Sequence, residues 1–118
     1  MWTLDPSDEY QKRHKWFAKK RKRELAAVLA NLELVRESLD RGLTINQVAS
    51  FGFVHHEPQD VLAIDQKGGG SDLRQTRLYV LIQICGECIK LLTIGDKETQ
   101  HDDIEHTTQA AIELKKEQ

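Results

Sequence analysis

The sequence predicts an α+β domain: a small antiparallel β-sheet packed against an N-terminal helical hairpin, with a C-terminal helix. Three observations carry this. Before Gly42 the apolar residues recur at helical spacing; between Arg77 and Ile94 they fall in two β-rich runs joined by Gly86-Glu87; and after Thr99 the helical spacing returns. The 118 residues, with 39% hydrophobic content and two Trp, suit a single domain over 1–118.

Taken in order, Asp5 can cap a first helix, Pro6 suits its first position, and Asp8 puts a carboxylate in its first turn. Tyr10, His14, Phe17 and Ala18 share one face. Leu25, Val28, Leu29, Leu32, Val35 and Leu39 form a stronger stripe that stops at Gly42. One straight helix over 6–41 would be about 54 Å long at about 1.5 Å per residue, too long for a domain of this size. The run Lys19-Lys20-Arg21-Lys22-Arg23 is therefore expected at the corner of a helical hairpin.

Residues 43–59 read as irregular connection, apart from a short segment near Phe53-Val54. VLAI (61–64) reads as a strand. Lys67-Gly68-Gly69-Gly70-Ser71-Asp72 reads as a flexible loop; it has no Gly-Lys-Ser/Thr ending and no helical pattern behind it, so a phosphate-cradling loop does not follow. RLYVLIQI (77–84) and CIKLLTI (88–94) form a hairpin on Gly86-Glu87, a pair suited to a type II′ turn. That turn would set Cys85 opposite Cys88, Leu81 opposite Leu92 and Arg77 opposite Asp96. One face would carry Val80, Ile82, Ile84, Ile89, Leu91 and Thr93 against the helical hairpin. The other, with Arg77, Tyr79, Leu81, Gln83, Lys90, Leu92 and Asp96, would be partly open. Thr99-Gln100-His101-Asp102 can cap the last helix, which docks through Ile104, Ala111, Ile112 and Leu114.

The Cys85-Gly86-Glu87-Cys88 motif could mark a redox or zinc site or only the tip of the hairpin. The flanking pair of a two-residue hairpin stands nearer ~5 Å apart than the ~3.8 Å a disulfide prefers. Structural zinc wants four ligands, and the chain has no other cysteine. Neither His55-His56-Glu57 nor the segment His101–His106 has a metal-ligand spacing, so no metal or cofactor is expected.

Charge is polarised. Residues 1–42 carry ten Lys/Arg against seven Asp/Glu, and residues 43–118 carry seven against twelve. The basic run is either a solvated helix corner or a patch for nucleic acid or an acidic partner. The N-terminus lacks the pattern of a signal peptide, and no stretch is long and apolar enough for a membrane span. A cytoplasmic chain with reduced cysteines is expected.

The order short strand, helical hairpin, strand, β-hairpin, C-terminal helix resembles the RelE/ParE superfamily of type II toxin–antitoxin toxins. The segments TRLYVLIQI and CIKLLTIGDKETQHDDI are similar to the family's third and fourth strands, and WTL near the N-terminus would be its first. The resemblance implies a toxin neutralised by a cognate antitoxin. One branch cuts mRNA on the ribosome without a metal and so inhibits translation; the other inhibits DNA gyrase without nuclease chemistry. A third possibility is a toxin fold serving only as an interaction module. In the nuclease branch Arg77 would stabilise the phosphate, Lys97 would be a second cation and His101 an acid or base. Tyr79 would stack on a base, with Lys67, Lys19, Lys20, Arg21, Lys22 and Arg23 on the RNA. The residues themselves leave plainer readings open: Arg77 paired to Asp96, Lys97 solvated, His101 an ordinary residue of the helix entry, and Tyr79 packed on the sheet.

Overall fold

In the computed structural model, which describes residues 1–70 and 72–117, helices cover both faces of a five-stranded sheet. The elements are β1 (Thr3–Pro6), α1 (Asp8–Lys20), α2 (Lys22–Asp40), α3 (Ile45–Ala49), β2 (Val54–His56), β3 (Leu62–Asp65), β4 (Thr76–Gln83), β5 (Cys88–Asp96) and α4 (Gln100–Lys116). The strand order is β1-β5-β4-β3-β2. The α+β class stands, but the sheet is mixed, because β1 runs parallel to β5. A crossover explains this: the α1–α2 hairpin and α3 intervene before the antiparallel strands begin. No helix among the described residues is long and apolar enough to cross a membrane.

The helical corner falls in the basic run, where Arg21 leaves helical geometry between α1 and α2. The first cap is Ser7 rather than Asp5: its Oγ accepts the Tyr10 N–H at 3.1 Å, while Asp5 lies in β1 and pairs with Lys90. The connection after Gly42 holds α3, closed by a Thr44/Gln47 capping box that periodicity over so few residues does not reveal. The glycine loop is tied to α2. Asn31 Nδ2 donates to the Asp65 and Lys67 carbonyls, Arg23 grips Asp72 with two hydrogen bonds, and a Cβ on Gly69 would lie 2.4 Å from that of Ala27. Ser71 of that loop lies outside the described residues.

The hairpin register differs from the expected one. Glu87 has φ 47°, whereas a type II′ turn needs a negative φ at its second position. The loop instead takes in Ile84–Glu87, so Gln83 faces Cys88 and Leu81 faces Lys90. A bulge between the Tyr79 and Val80 pairs then adds one residue to β5. Thr93 consequently lies opposite Tyr79 instead of beside Leu91 on the other face. Arg77 faces Gly95, and Asp96 faces Thr76.

Alternation sorts the core into two layers. Leu62, Ile64, Leu78, Val80, Ile89, Leu91 and Ile94 pack on α1 and α2. Val61, Ala63, Tyr79, Leu81 and Leu92 pack under Ala111, with Ile104, Ala110 and Leu114 of α4 beside them. The face expected to be partly open is therefore covered, and α4 lies across it rather than along one edge.

Candidate functional site

The α4-covered face ends in a polar corner. His55, Ala63 and Tyr79 occupy successive pairs across β2, β3 and β4, and Asp65 and Arg77 form the next pair on the same face. His55 Nε2 lies 2.7 Å from Asp65 Oδ2, and the Lys67 N–H donates to Asp65 Oδ1 at 2.7 Å, which fixes the carboxylate. Glu57 follows β2 and reaches across β3 to place Oε2 3.7 Å from Arg77 Nη1. The Arg77 side chain is 20% exposed, yet its Nε is buried and has no hydrogen-bond partner. An arginine beside a carboxylate, with a His–Asp pair on the neighbouring strands of the same face, is thus the chemical content of this corner.

Local backbone positions Glu57. The β2–β3 connection is a tight turn closed by the Val61 N–H donating to the Pro58 carbonyl at 3.3 Å, with Gln59 at φ 63° and Asp60 at φ 65°. Two successive left-handed residues suit a primed hairpin turn, but neither is Gly or Asn, so the conformation is held at a cost of order 1 kcal/mol per residue. Lys115 of α4 braces it, 2.9 Å from Asp60. The Glu57 N–H donates to the Val61 carbonyl at 2.9 Å, setting its side chain on the α4 face.

The first turn of α4 closes the other side. Gln75 Nε2 donates to Gln100 Oε1 at 2.9 Å. Asp103 drops onto β5 at Gly95, where a Cβ would lie 1.8 Å from Asp103 Oδ2, and receives hydrogen bonds from Thr99 Oγ1 at 2.6 Å and Arg13 Nη1 at 2.8 Å. Burial raises the Asp103 pKa above the usual carboxylate value, against the opposing pull of Thr99 and Arg13. Burial, helped by the charges of Asp103 and Glu57, pushes the Tyr79 phenol up to about 12, so it stays protonated at neutral pH.

The residues proposed from sequence are not gathered in one place. Arg77 is in the corner, with Glu57 rather than Asp96 as its carboxylate neighbour. Tyr79 is 1% exposed, so its ring cannot stack on an incoming base while α4 is in place. Lys97 is exposed in the β5–α4 turn. The His101 side chain is 86% exposed and lies 3.3 Å from Glu105 on its own helix. Lys67 is exposed at the glycine loop. In the basic run, Lys19, Lys20 and Lys22 are exposed, Arg21 lies over the Trp16 ring at 5.2 Å, and Arg23 is paired to Asp72. What sequence reasoning missed is Glu57 with His55 and Asp65. The β2–β3 hairpin that assembles them has Gln59-Asp60 at its turn, a pair without a glycine signal.

His101, Asp102 and Glu105 bring ligand atoms within 4.8 Å of one another, all exposed on one helix. Cys85 and Cys88 are free thiols. Comparison with protein-family models, with curated proteins and with solved structures finds no match for this chain.

Proposed function

We propose that the chain is the toxin of a type II toxin–antitoxin pair, of the RelE/ParE kind, acting in the cytoplasm as an mRNA endonuclease. The observation that carries the nuclease reading is Arg77, whose buried Nε has no partner and whose guanidinium lies beside Glu57 on the face that also carries the His55–Asp65 pair. Metal-independent RNA cleavage needs these group types. Glu57 takes the proton of a ribose 2′-hydroxyl; the oxygen attacks the adjacent phosphorus; Arg77 stabilises the charge of the phosphorane; and His55, oriented by Asp65, donates a proton to the departing 5′-oxygen. The O2′–P bond forms and the P–O5′ bond breaks, leaving a 2′,3′-cyclic phosphate and a 5′-hydroxyl. A cognate antitoxin would neutralise the toxin by covering this surface.

That Lys97 and His101 are exposed, with His101 beside Glu105 on its own helix and neither in contact with Arg77 among the described residues, favours a second reading: inhibition by binding alone, directed at gyrase or at a protein partner. Controlled expression of wild type, Arg77→Ala and Glu57→Gln, with growth followed and mRNA 5′ ends mapped, separates the two. Growth arrest with new 5′-hydroxyl ends, lost in both variants, is expected. Arrest without cuts would select the binding reading, and no arrest would remove the toxin reading.

A further inference from the structure

A second feature lies on the other side of the first turn of α4. A cleft of about 390 Å³ runs between α1 and the end of β5, within the size range of small-ligand sites. Trp16, Phe17, Gly95 and Thr99 line it, together with charged side chains of α1 and Asp96. Positions 9, 12, 13, 16 and 20 follow helical spacing along one side of α1, so Trp16 stands between Lys12 and Lys20. Trp16 is 45% exposed, packed edge-on against the buried Phe17 and covered on part of its surface by Arg21.

The lining charges divide into spent and unspent ones. Glu9 is paired to Arg13, and Arg13 is committed to Asp103 and the Ile94 carbonyl. The Asp96 carboxylate accepts the N–H groups of Glu98 and Thr99. Lys12, in the lining, and Lys20, outside it and one helical turn beyond Trp16 where the basic corner begins, have no carboxylate within salt-bridge distance among the described residues. An exposed indole flanked by unpaired lysines has the form of a single-stranded nucleic-acid platform, where the ring stacks a base and the cations follow the backbone.

We propose that this cleft binds one nucleotide of single-stranded RNA, its base against Trp16 and its flanking phosphates on Lys12 and Lys20. The proposal rests on the RNA-directed reading of the Arg77 corner and adds where the strand goes. Gly95, in the lining of the cleft, is the cross-strand partner of Arg77, so the two sites meet at the end of β5, where the turn that carries Lys97 begins. A strand cut at Arg77 would cross that turn to reach Trp16.

The test is titration of the purified protein with a short 2′-O-methyl RNA, which cannot be cleaved through its 2′-oxygen. Trp2 is buried, so quenching of tryptophan fluorescence reports chiefly on Trp16. Quenching of the wild type by the oligonucleotide is expected; the affinity of every variant, read from the fluorescence anisotropy of the same oligonucleotide carrying a dye, should fall about tenfold or more in Trp16→Leu and much less in Trp16→Phe, which keeps a stacking ring. Lys20→Ala should lower the slope of log affinity against log salt by about one. Thermal melts check that each variant is folded. Unchanged affinity in folded Trp16→Leu would overturn the proposal. So would quenching by an acidic peptide and not by RNA, which would make the cleft a protein-docking site. Growth arrest with cut mRNA but no Trp16-dependent binding would leave the nuclease standing without this subsite. Trp16-dependent binding without arrest would leave the subsite and remove the toxin.

Discussion

The two faces of the sheet are built differently. Against α1 and α2, β3, β4 and β5 present almost nothing but Leu, Ile and Val, and the layer is continuous from Trp2 to Leu39. Against α4 the apolar layer is small, and it shares its face with Arg77, Glu57, His55, Asp65, Asp103 and Thr107. Adjacent residues of the same strand thus enter opposite environments. One face supplies most of the burial that stabilises the fold, at ~1.5–3 kcal/mol for each large side chain. The other spends its area on polar groups that only a stable scaffold can hold in place.

Leu78 and Leu81 test that contrast most strongly, since both are buried in β4 on opposite faces. Leu→Ala changes in cores cost about 2–5 kcal/mol, more where the surroundings cannot relax. Leu78→Ala, between the sheet and two long helices, should fall at the upper end of that range. Leu81→Ala, under a single helix, should fall at the lower end. Urea unfolding measures both, and equal losses would break the comparison.

Gly95→Ala comes next. Its Cβ would collide with Asp103 Oδ2 and Thr99 Oγ1, displacing the first turn of α4. A loss of about 1–3 kcal/mol is expected from such overpacking. Because Gly95 is the partner of Arg77 and also lines the Trp16 cleft, the mRNA cutting proposed for this chain should fall in this variant even where it remains folded at the assay temperature. Cutting at the wild-type rate would show that the position of α4 does not matter to the site.

The first face was legible in the sequence and the second was not, for a physical reason. The stripe from Leu25 to Leu39 and the alternation in β4 and β5 are local repeats imposed by burial, and they recover the helical hairpin and the β-hairpin. Gly42 (φ 98°) ends α2 as expected. The polar corner is assembled by long-range choices. A turn made by Gln59 and Asp60, a bulge in β5 and a glycine loop tied to α2 bring residues 55, 57, 65 and 77 together. Arg77 was visible because it begins a strong strand. Glu57 was not, because the strand before it has only three residues and the turn after it carries no glycine signal. The hairpin register failed at one torsion, the positive φ of Glu87, and with it went the facing of Arg77 and Asp96.

The smallest effect, and the sharpest in sign, concerns two buried carboxylates. Glu24, at the start of α2, accepts the Arg74 N–H at 3.0 Å, and that bond holds its pKa below the usual carboxylate value. Asp103, on the α4 side, is raised by burial. A lowered folded pKa contributes stability that is present above the unfolded pKa and lost as pH falls through the folded one. A raised folded pKa contributes stability that is full below the unfolded pKa and lost as pH rises through the folded one. Melts of Glu24→Gln and Asp103→Asn beside wild type, between about pH 3 and pH 7, should therefore diverge in opposite directions. The deficit of Glu24→Gln should widen from its acid value as pH rises to the ordinary carboxylate range. The deficit of Asp103→Asn should shrink as pH rises beyond that range, because the wild type then carries an ionised group in a dry position. Parallel slopes would mean that Arg13 and Thr99 outweigh burial at Asp103, and that the α4 face holds its charges as comfortably as the helical-hairpin side holds Glu24.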